Sequence, residues 1–200
     1  MGSFIVFEGI DGCGKSTQIE RLRQALVAKG RSVSLTAEPT ATPTGKMLRA
    51  ALSGADPRTP SEMAALFTLD RIGHNKAPGG IDEMLAVGDV LCDRYYYSSL
   101  AYQGSLCDYE WVRHMNLACP EIRTPDLCIF LDLEPSVSLS RIKARGEATE
   151  IYEKEESLRL FRETFLKVFS TLPDRVAVVD ASGTPDEVAA RVLAAVENIL

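Results

Sequence analysis

No apolar run in this chain approaches the length needed to cross a bilayer, so no membrane partner is expected. Positive charge is also short, with 22 Lys and Arg against 28 Asp and Glu and a net charge of −6. That balance excludes a broad electrostatic footprint for nucleic acid and leaves only local basic sites. The five cysteines, Cys13, Cys92, Cys107, Cys119 and Cys128, are odd in number and lack metal-ligand spacing. They read as reduced thiols in a cytoplasmic protein, with Cys92 and Cys128 as small core residues inside apolar runs. Internal repeats and low-complexity tracts are lacking, and the first residues do not read as a secretory leader. Two hundred residues, 46% hydrophobic and 25% charged, suit one soluble domain over residues 1–200.

What is present is concentrated near the start. The apolar run Phe4–Phe7 is followed by Gly9-Ile10-Asp11-Gly12-Cys13-Gly14-Lys15-Ser16-Thr17, which fits the phosphate-binding pattern G-x-x-x-x-G-K-[ST]. Glycines let the backbone wrap a phosphate, Lys15 suits the β- and γ-phosphates of ATP, and the Ser16 hydroxyl suits Mg²⁺. After Ser16, Ile19, Leu22 and Leu26 recur at helical spacing up to Gly30. The loop therefore leaves a strand and opens a helix, the context the motif requires.

Further strands are expected at Val33–Leu35, Val90–Cys92, Leu127–Leu133 and Val176–Val179, with helical patterns between them. That alternation predicts an α/β fold of three layers, a five-stranded parallel sheet with helices on both faces. Ligands of such sheets bind beyond the carboxyl ends of the strands. Asp93 and Arg94 stand at one such end, suited to Mg²⁺ and to a bidentate grip on phosphate. Phe67 and Arg71 are four residues apart on a predicted helix, an aromatic face and a guanidinium that can meet one nucleobase. Three consecutive tyrosines, Tyr95 to Tyr97, suit the enclosure of a sugar or base. Asp11, inside the loop, suits a phosphate proton or a Mg²⁺-bound water. Arg141, Lys143 and Arg145 cluster before a polar stretch and are candidates to neutralise a transferring phosphoryl group, with a mobile lid expected at about 141–155.

Together these blocks resemble the thymidylate kinase family over nearly the whole chain. Phe7 to Gln18 is similar to its first block, and Glu38-Pro39-Thr40 with Gly45 to Arg49 to its second. Phe67 with Arg71, Asp93-Arg94-Tyr95 with Ser98-Ser99, and Ala101-Tyr102-Gln103-Gly104 follow in the family's order. The resemblance implies transfer of a phosphoryl group from ATP with Mg²⁺ to dTMP, in a homodimer of the P-loop α/β fold. It implies that Arg94 holds the acceptor phosphate, with Glu38, Pro39 and Arg49 on that side. Phe67 would stack on thymine, Arg71 would bond its O4, Ser99 would face the base and Tyr102 would lie under the deoxyribose, with Ser98 and Gln103 also among the substrate-binding residues. Some relatives carry Arg within the loop where Gly12 stands here, so Arg141 and Arg145 would supply that charge. Open alternatives are a kinase for another nucleoside monophosphate or deoxynucleoside, and a nucleotide switch. The switch lacks support in the base-recognition pattern Asn-Lys-x-Asp, because Asn75-Lys76 runs into Ala77-Pro78.

Overall fold

The computed structural model describes residues 2–145, 155–197 and 199. In chain order the elements are β1 (Phe4–Glu8), α1 (Lys15–Ala28), β2 (Val33–Ala37), α2 (Pro43–Leu52), α3 (Pro60–Lys76), α4 (Ile81–Val87), β3 (Asp89–Asp93), α5 (Tyr96–Tyr102), α6 (Tyr109–Leu117), β4 (Leu127–Asp132), α7 (Pro135–Arg145), α8 (Glu155–Thr171), β5 (Val176–Asp180) and α9 (Pro185–Val196). The strands form a parallel sheet in the order β2-β3-β1-β4-β5. The five expected strands are all there, each running one or two residues from the boundary read from periodicity.

Central strands bury both faces, which is why β1 and β4 read as unbroken apolar runs. β1 pairs Phe7 with Asp93 of β3 on one side and with Ile129 of β4 on the other. The chain leaves β1, moves out to β2, returns to β3, and crosses β1 to reach β4. The carboxyl end of β1 thus lies at the reversal of strand order, where open α/β sheets hold ligands. Pairing continues past the strand ends, since Arg94 N donates to Phe7 O at 2.9 Å and Glu38 N to Asp93 O at 3.0 Å. Those two bonds bring the segments after β1, β2 and β3 together.

Three helices open on Thr-Pro. Thr42, Thr59 and Thr184 cap α2, α3 and α9, with proline in the first turn where its missing N–H costs nothing. Thr59 with Glu62 and Thr184 with Glu187 close full capping boxes. One buried apolar cluster draws on residues from Phe4 to Val196, and a smaller one joins Leu48 and Ala51 of α2 to Met63 of α3. The second cluster positions α2 and α3 as a pair over the β2 side of the carboxyl edge. No helix among the described residues is long and apolar enough to cross a membrane.

Candidate active site

The phosphate loop is a backbone device. Gly12 has φ +80°, and a Cβ there would fall 2.6 Å from the Ser138 carbonyl of α7. Gly9 has φ +145°, and its Cβ would lie 2.8 Å from the Leu131 carbonyl at the end of β4. Both positions combine left-handed backbone with close approach, so any side chain there is strained in this packing. α1 starts at Lys15 with no side-chain cap on Gly14, which leaves its first-turn amides and its positive end for an anion. Lys15 Nζ donates to Gly9 O at 3.1 Å, so the ammonium is folded over the loop it serves. α7 grips the loop from outside. Ser138 Oγ donates to Asp11 O, and Arg141 Nη1 reaches Cys13 O at 3.4 Å. A hollow bounded by Gly12, Gly14, Thr17, Gln18 and Arg141 faces Gly183, Pro185 and Val188 before and on α9.

Across Asp11 lies a second cavity, lined among others by Glu38, Pro39, Phe67, Arg71, Arg94, Ser98, Tyr102 and Gln103. Arg94 links the two. It follows β3 with φ +69°, a conformation that costs a non-glycine residue roughly 1–3 kcal/mol. Its guanidinium pairs with the Asp11 carboxylate and bonds Ser98 Oγ at 3.1 Å and Gly9 O at 3.3 Å. Burial opposes its charge, but Asp11, Glu8 and Asp93 hold its pKa well above the ordinary arginine value. Tyr102 lies beneath, with Arg94 Cζ 5.4 Å from its ring centroid.

Glu8, the last residue of β1, is fully buried. Its carboxylate accepts from Tyr95 N at 2.8 Å, Ser98 N at 3.1 Å and Ser98 Oγ at 2.7 Å. Burial pushes its pKa up to about 7, against the lowering pull of Arg94 and these bonds. It locks the start of α5 to the sheet and thereby sets Ser98 against Arg94.

Arg71 is held by side chains from three other elements or their edges. Nε and Nη2 donate to Glu38 Oε2 at 2.9 and 2.6 Å, Nη1 donates to Asn116 Oδ1 at 2.5 Å, and both terminal nitrogens lie 3.3 Å from Ser99 Oγ. Glu38 Oε1 lies 3.0 Å from His74 Nδ1, and His74 Nε2 lies 2.5 Å from Thr36 Oγ1. Each of these groups is buried or nearly so, and each charge has its opposite within bonding distance, as a dry site demands. On the flank, burial works to raise Asp70, yet bonds from Thr40, Thr42 and Thr44 bring its carboxyl below the ordinary range.

The structure thus brings Asp11, Glu38, Pro39, Phe67, Arg71, Arg94, Ser98, Tyr102 and Gln103 to one cavity. Two other expected residues stand behind it. Arg49 donates to Thr40 O and Pro39 O at 2.8 and 2.7 Å, bracing the loop after β2. Ser99 is 1% exposed and engages the Arg71 guanidinium. Asp93 Oδ1 is buried without a hydrogen-bond partner among the described residues, as suits an oxygen reserved for a cation's hydration shell. Of the tyrosine run, Tyr95 lines the cavity and its hydroxyl bonds Asn75, while the Tyr96 and Tyr97 hydroxyls both meet Asp174 in the core. Cys13 is buried, and burial pushes its thiol pKa up, which makes it a small filler rather than a nucleophile. Of the expected lid, 141–145 ends α7 and 155 opens α8; residues 146–154 and the Arg145 side chain lie outside the described residues. Sequence reasoning missed the supporting parts. Glu8 carried a signal, being the polar residue that ends an apolar strand; Asn116 and His74 sit in mixed helices and carried none.

Comparison with known proteins agrees with this geometry. A model of the thymidylate kinase family matches residues 7–192. A probable thymidylate kinase of Pyrococcus horikoshii is 39% identical, the match covering 100% of this chain and 98% of the relative. Thymidylate kinases of Bifidobacterium longum subsp. infantis, at 36%, and Cereibacter sphaeroides, at 39%, are matched over 100% of this chain and over 88% and 96% of their own lengths. With the phosphate loop, the Arg94 bridge and the Arg71 network all inside the matched span, the chain belongs to the thymidylate kinase family and is a phosphotransferase.

Proposed function

We propose that the chain performs its family's reaction, phosphorylation of dTMP to dTDP, with ATP and Mg²⁺ bound at the loop and dTMP in the cavity beyond Asp11. The single observation that carries this is Arg94, a partly buried cation tied to the loop through Gly9 and Asp11 and to the cavity through Ser98 and Tyr102. A phosphate on the cavity side would find a fixed guanidinium next to the donor loop, which is the arrangement in-line transfer needs. Ser16 and Asp93 would hold Mg²⁺, whose charge would offset that of the donor phosphates. A cation that keeps most of its waters needs no cluster of carboxylates, and no group of three or more potential metal ligands occurs among the described residues.

Lys15 and the loop amides then hold the donor, and Asp11 keeps Arg94 aligned on the acceptor. Arg141, already against the loop, offsets charge on the transferring group, with Arg145 as its companion. Phe67 offers its ring to the base. Arg71 carries only donors, so it favours a carbonyl at the base edge over an amino group and selects thymine or uracil against cytosine. Tyr102 occupies the floor where the sugar rests and leaves no room for a 2′-hydroxyl. The reading extends to one domain over residues 1–200 and a homodimer in the cytoplasm, for which the exposed side chains of Leu69, Met47 and Trp111 supply apolar surface.

The test is ADP release coupled to acceptor, run with dTMP, dUMP, UMP, CMP and thymidine. Turnover that requires dTMP and fails with CMP and thymidine is expected. ATP consumption without any acceptor would favour a switch instead, and equal rates with CMP would remove Arg71 from base selection.

A further inference from the structure

Tyr102 is supported from outside its own helix. It is the last residue of α5, so no further helical turn braces its ring. On the cavity side Arg94 covers it. On the other side α8 presents two rings. Phe161 lies 4.3 Å away, centroid to centroid, with the planes 42° apart, and Phe165 meets it edge-on at 5.8 Å and 85°. Phe165 is itself packed on Phe130 of β4 at 5.2 Å and on Phe169 at 5.9 Å, so it belongs to the sheet-facing core. Phe161 sits one turn before it on α8, and its face is close to the Tyr102 face. The result is a column, Phe161–Tyr102–Arg94–Asp11, running from α8 to the phosphate loop.

We propose that Phe161 is a positioning residue for sugar recognition: it fixes the height and tilt of the Tyr102 ring and so sets the preference for deoxyribose over ribose. The inference rests on the reading of Tyr102 as the floor under the sugar. A tyrosine ring has two torsions, and the tilted contact with Phe161 restrains it from sinking away from the cavity. Without that contact, the ring settles toward α8 and opens space on its upper side, where a 2′-hydroxyl would go. Base selection lies elsewhere, on Arg71, and is untouched by this movement. Phe161 carries no chemistry of its own, so its influence appears as a change in discrimination rather than as a general loss of rate.

The experiment compares kcat/KM for dTMP with that for ribothymidine 5′-monophosphate. The variants are Phe161→Ala, Phe161→Leu, Phe161→Tyr and Tyr102→Ala, with Leu158→Ala as a packing control on a fully buried residue of the same helix. The deoxyribose preference is expected to fall about 3- to 10-fold in Phe161→Ala and Phe161→Leu, the size of a lost aromatic pair. Phe161→Tyr should restore it. Leu158→Ala should lower the melting temperature and leave the preference unchanged, which separates positioning from mere stability. If Phe161→Ala does not fold, Phe161→Leu, which keeps most of the volume without the ring, decides alone. A preference unchanged in the Phe161 variants while Tyr102→Ala loses it would overturn the proposal and leave the sugar-floor reading intact. A preference unchanged in Tyr102→Ala would remove the reading and the proposal together.

Discussion

The two halves of the site are made differently. The donor side is nine consecutive residues, Gly9 to Thr17, whose work is done mainly by backbone and one lysine. The acceptor side is assembled from side chains on β2, α3, α5 and α6 and at their edges, and its charges are buried and mutually dependent. The contrast teaches where robustness lies. A backbone cradle tolerates changes in most of its side chains, but at its glycines only if the packing around them changes as well. A network of buried charges tolerates few changes in any member, because removing one partner leaves another unpaired away from water.

The largest effect is expected on the donor side, at its one indispensable side chain. Lys15→Ala should lower kcat by ~10²–10³-fold or more, since it removes a fixed cation from the phosphates in a dry site. It should also leave the fold intact, because among the described residues the ammonium bonds only the Gly9 carbonyl. Circular dichroism together with the coupled assay checks both halves. Retained full activity would break the donor assignment.

Next comes Glu38→Gln, the corresponding break on the acceptor side. Glu38 is the anion for Arg71, and its other oxygen meets His74. Neutralising it leaves a buried guanidinium short of its partner, at a cost of about 3–5 kcal/mol. Here, unlike at Lys15, stability and dTMP KM should suffer together. Chemical denaturation and acceptor kinetics measure the two. Loss of KM without loss of stability would show that the network is less interdependent than its geometry indicates.

Gly12→Ala tests the backbone half of the contrast. The new methyl would lie 2.6 Å from Ser138 O and 3.0 Å from Ile142 Cγ1, on backbone at φ +80°. It should push α7 and Arg141 off the loop, destabilise by roughly 1–3 kcal/mol and raise the KM for ATP more than that for dTMP. Equal changes in both constants would mean that the two halves are not separable.

The same contrast explains what could be read in advance. The parallel sheet was legible because strands buried on both faces must be apolar throughout, as Phe4–Phe7 and Leu127–Leu131 are. The loop was legible because glycine, lysine and serine at fixed spacing are a local geometric requirement. In the acceptor cavity, Arg94 at a strand end and Phe67 with Arg71 on one helix face each gave a weak local signal, and only the resemblance to a family joined them to Tyr102 as one site. Of the supports, Glu8 showed in the sequence as the polar end of an apolar strand, and the others did not. Asn116 looks like any helix asparagine until α6 is placed beside α3, and Phe161 looks like one more apolar position in a helical stripe. The tyrosine run divides in space: Tyr95 lines the acceptor cavity, whereas Tyr96 and Tyr97 are held in the core by Asp174, 78 and 77 residues further on.

The smallest effect falls on Glu8, the hinge between the halves, and it concerns pH. Its carboxyl is ordinarily half-protonated near 4.5, and burial raises that to about 7 in the folded chain. Between those values the folded state binds more proton than the unfolded one, so this group makes stability fall as pH rises through the window. Its contribution is fully present below about 4.5 and gone above about 7. Glu8→Gln keeps an acceptor for Tyr95 N and Ser98 N but does not titrate. The melting temperature of the parent minus that of Glu8→Gln should therefore decline by a few degrees from pH 5 to pH 7.5, then level off. A flat difference would mean that Arg94 already holds Glu8 ionised across the range. The hinge would then belong electrostatically to the acceptor network, and the boundary between the two halves would move from Asp11 to the end of β1.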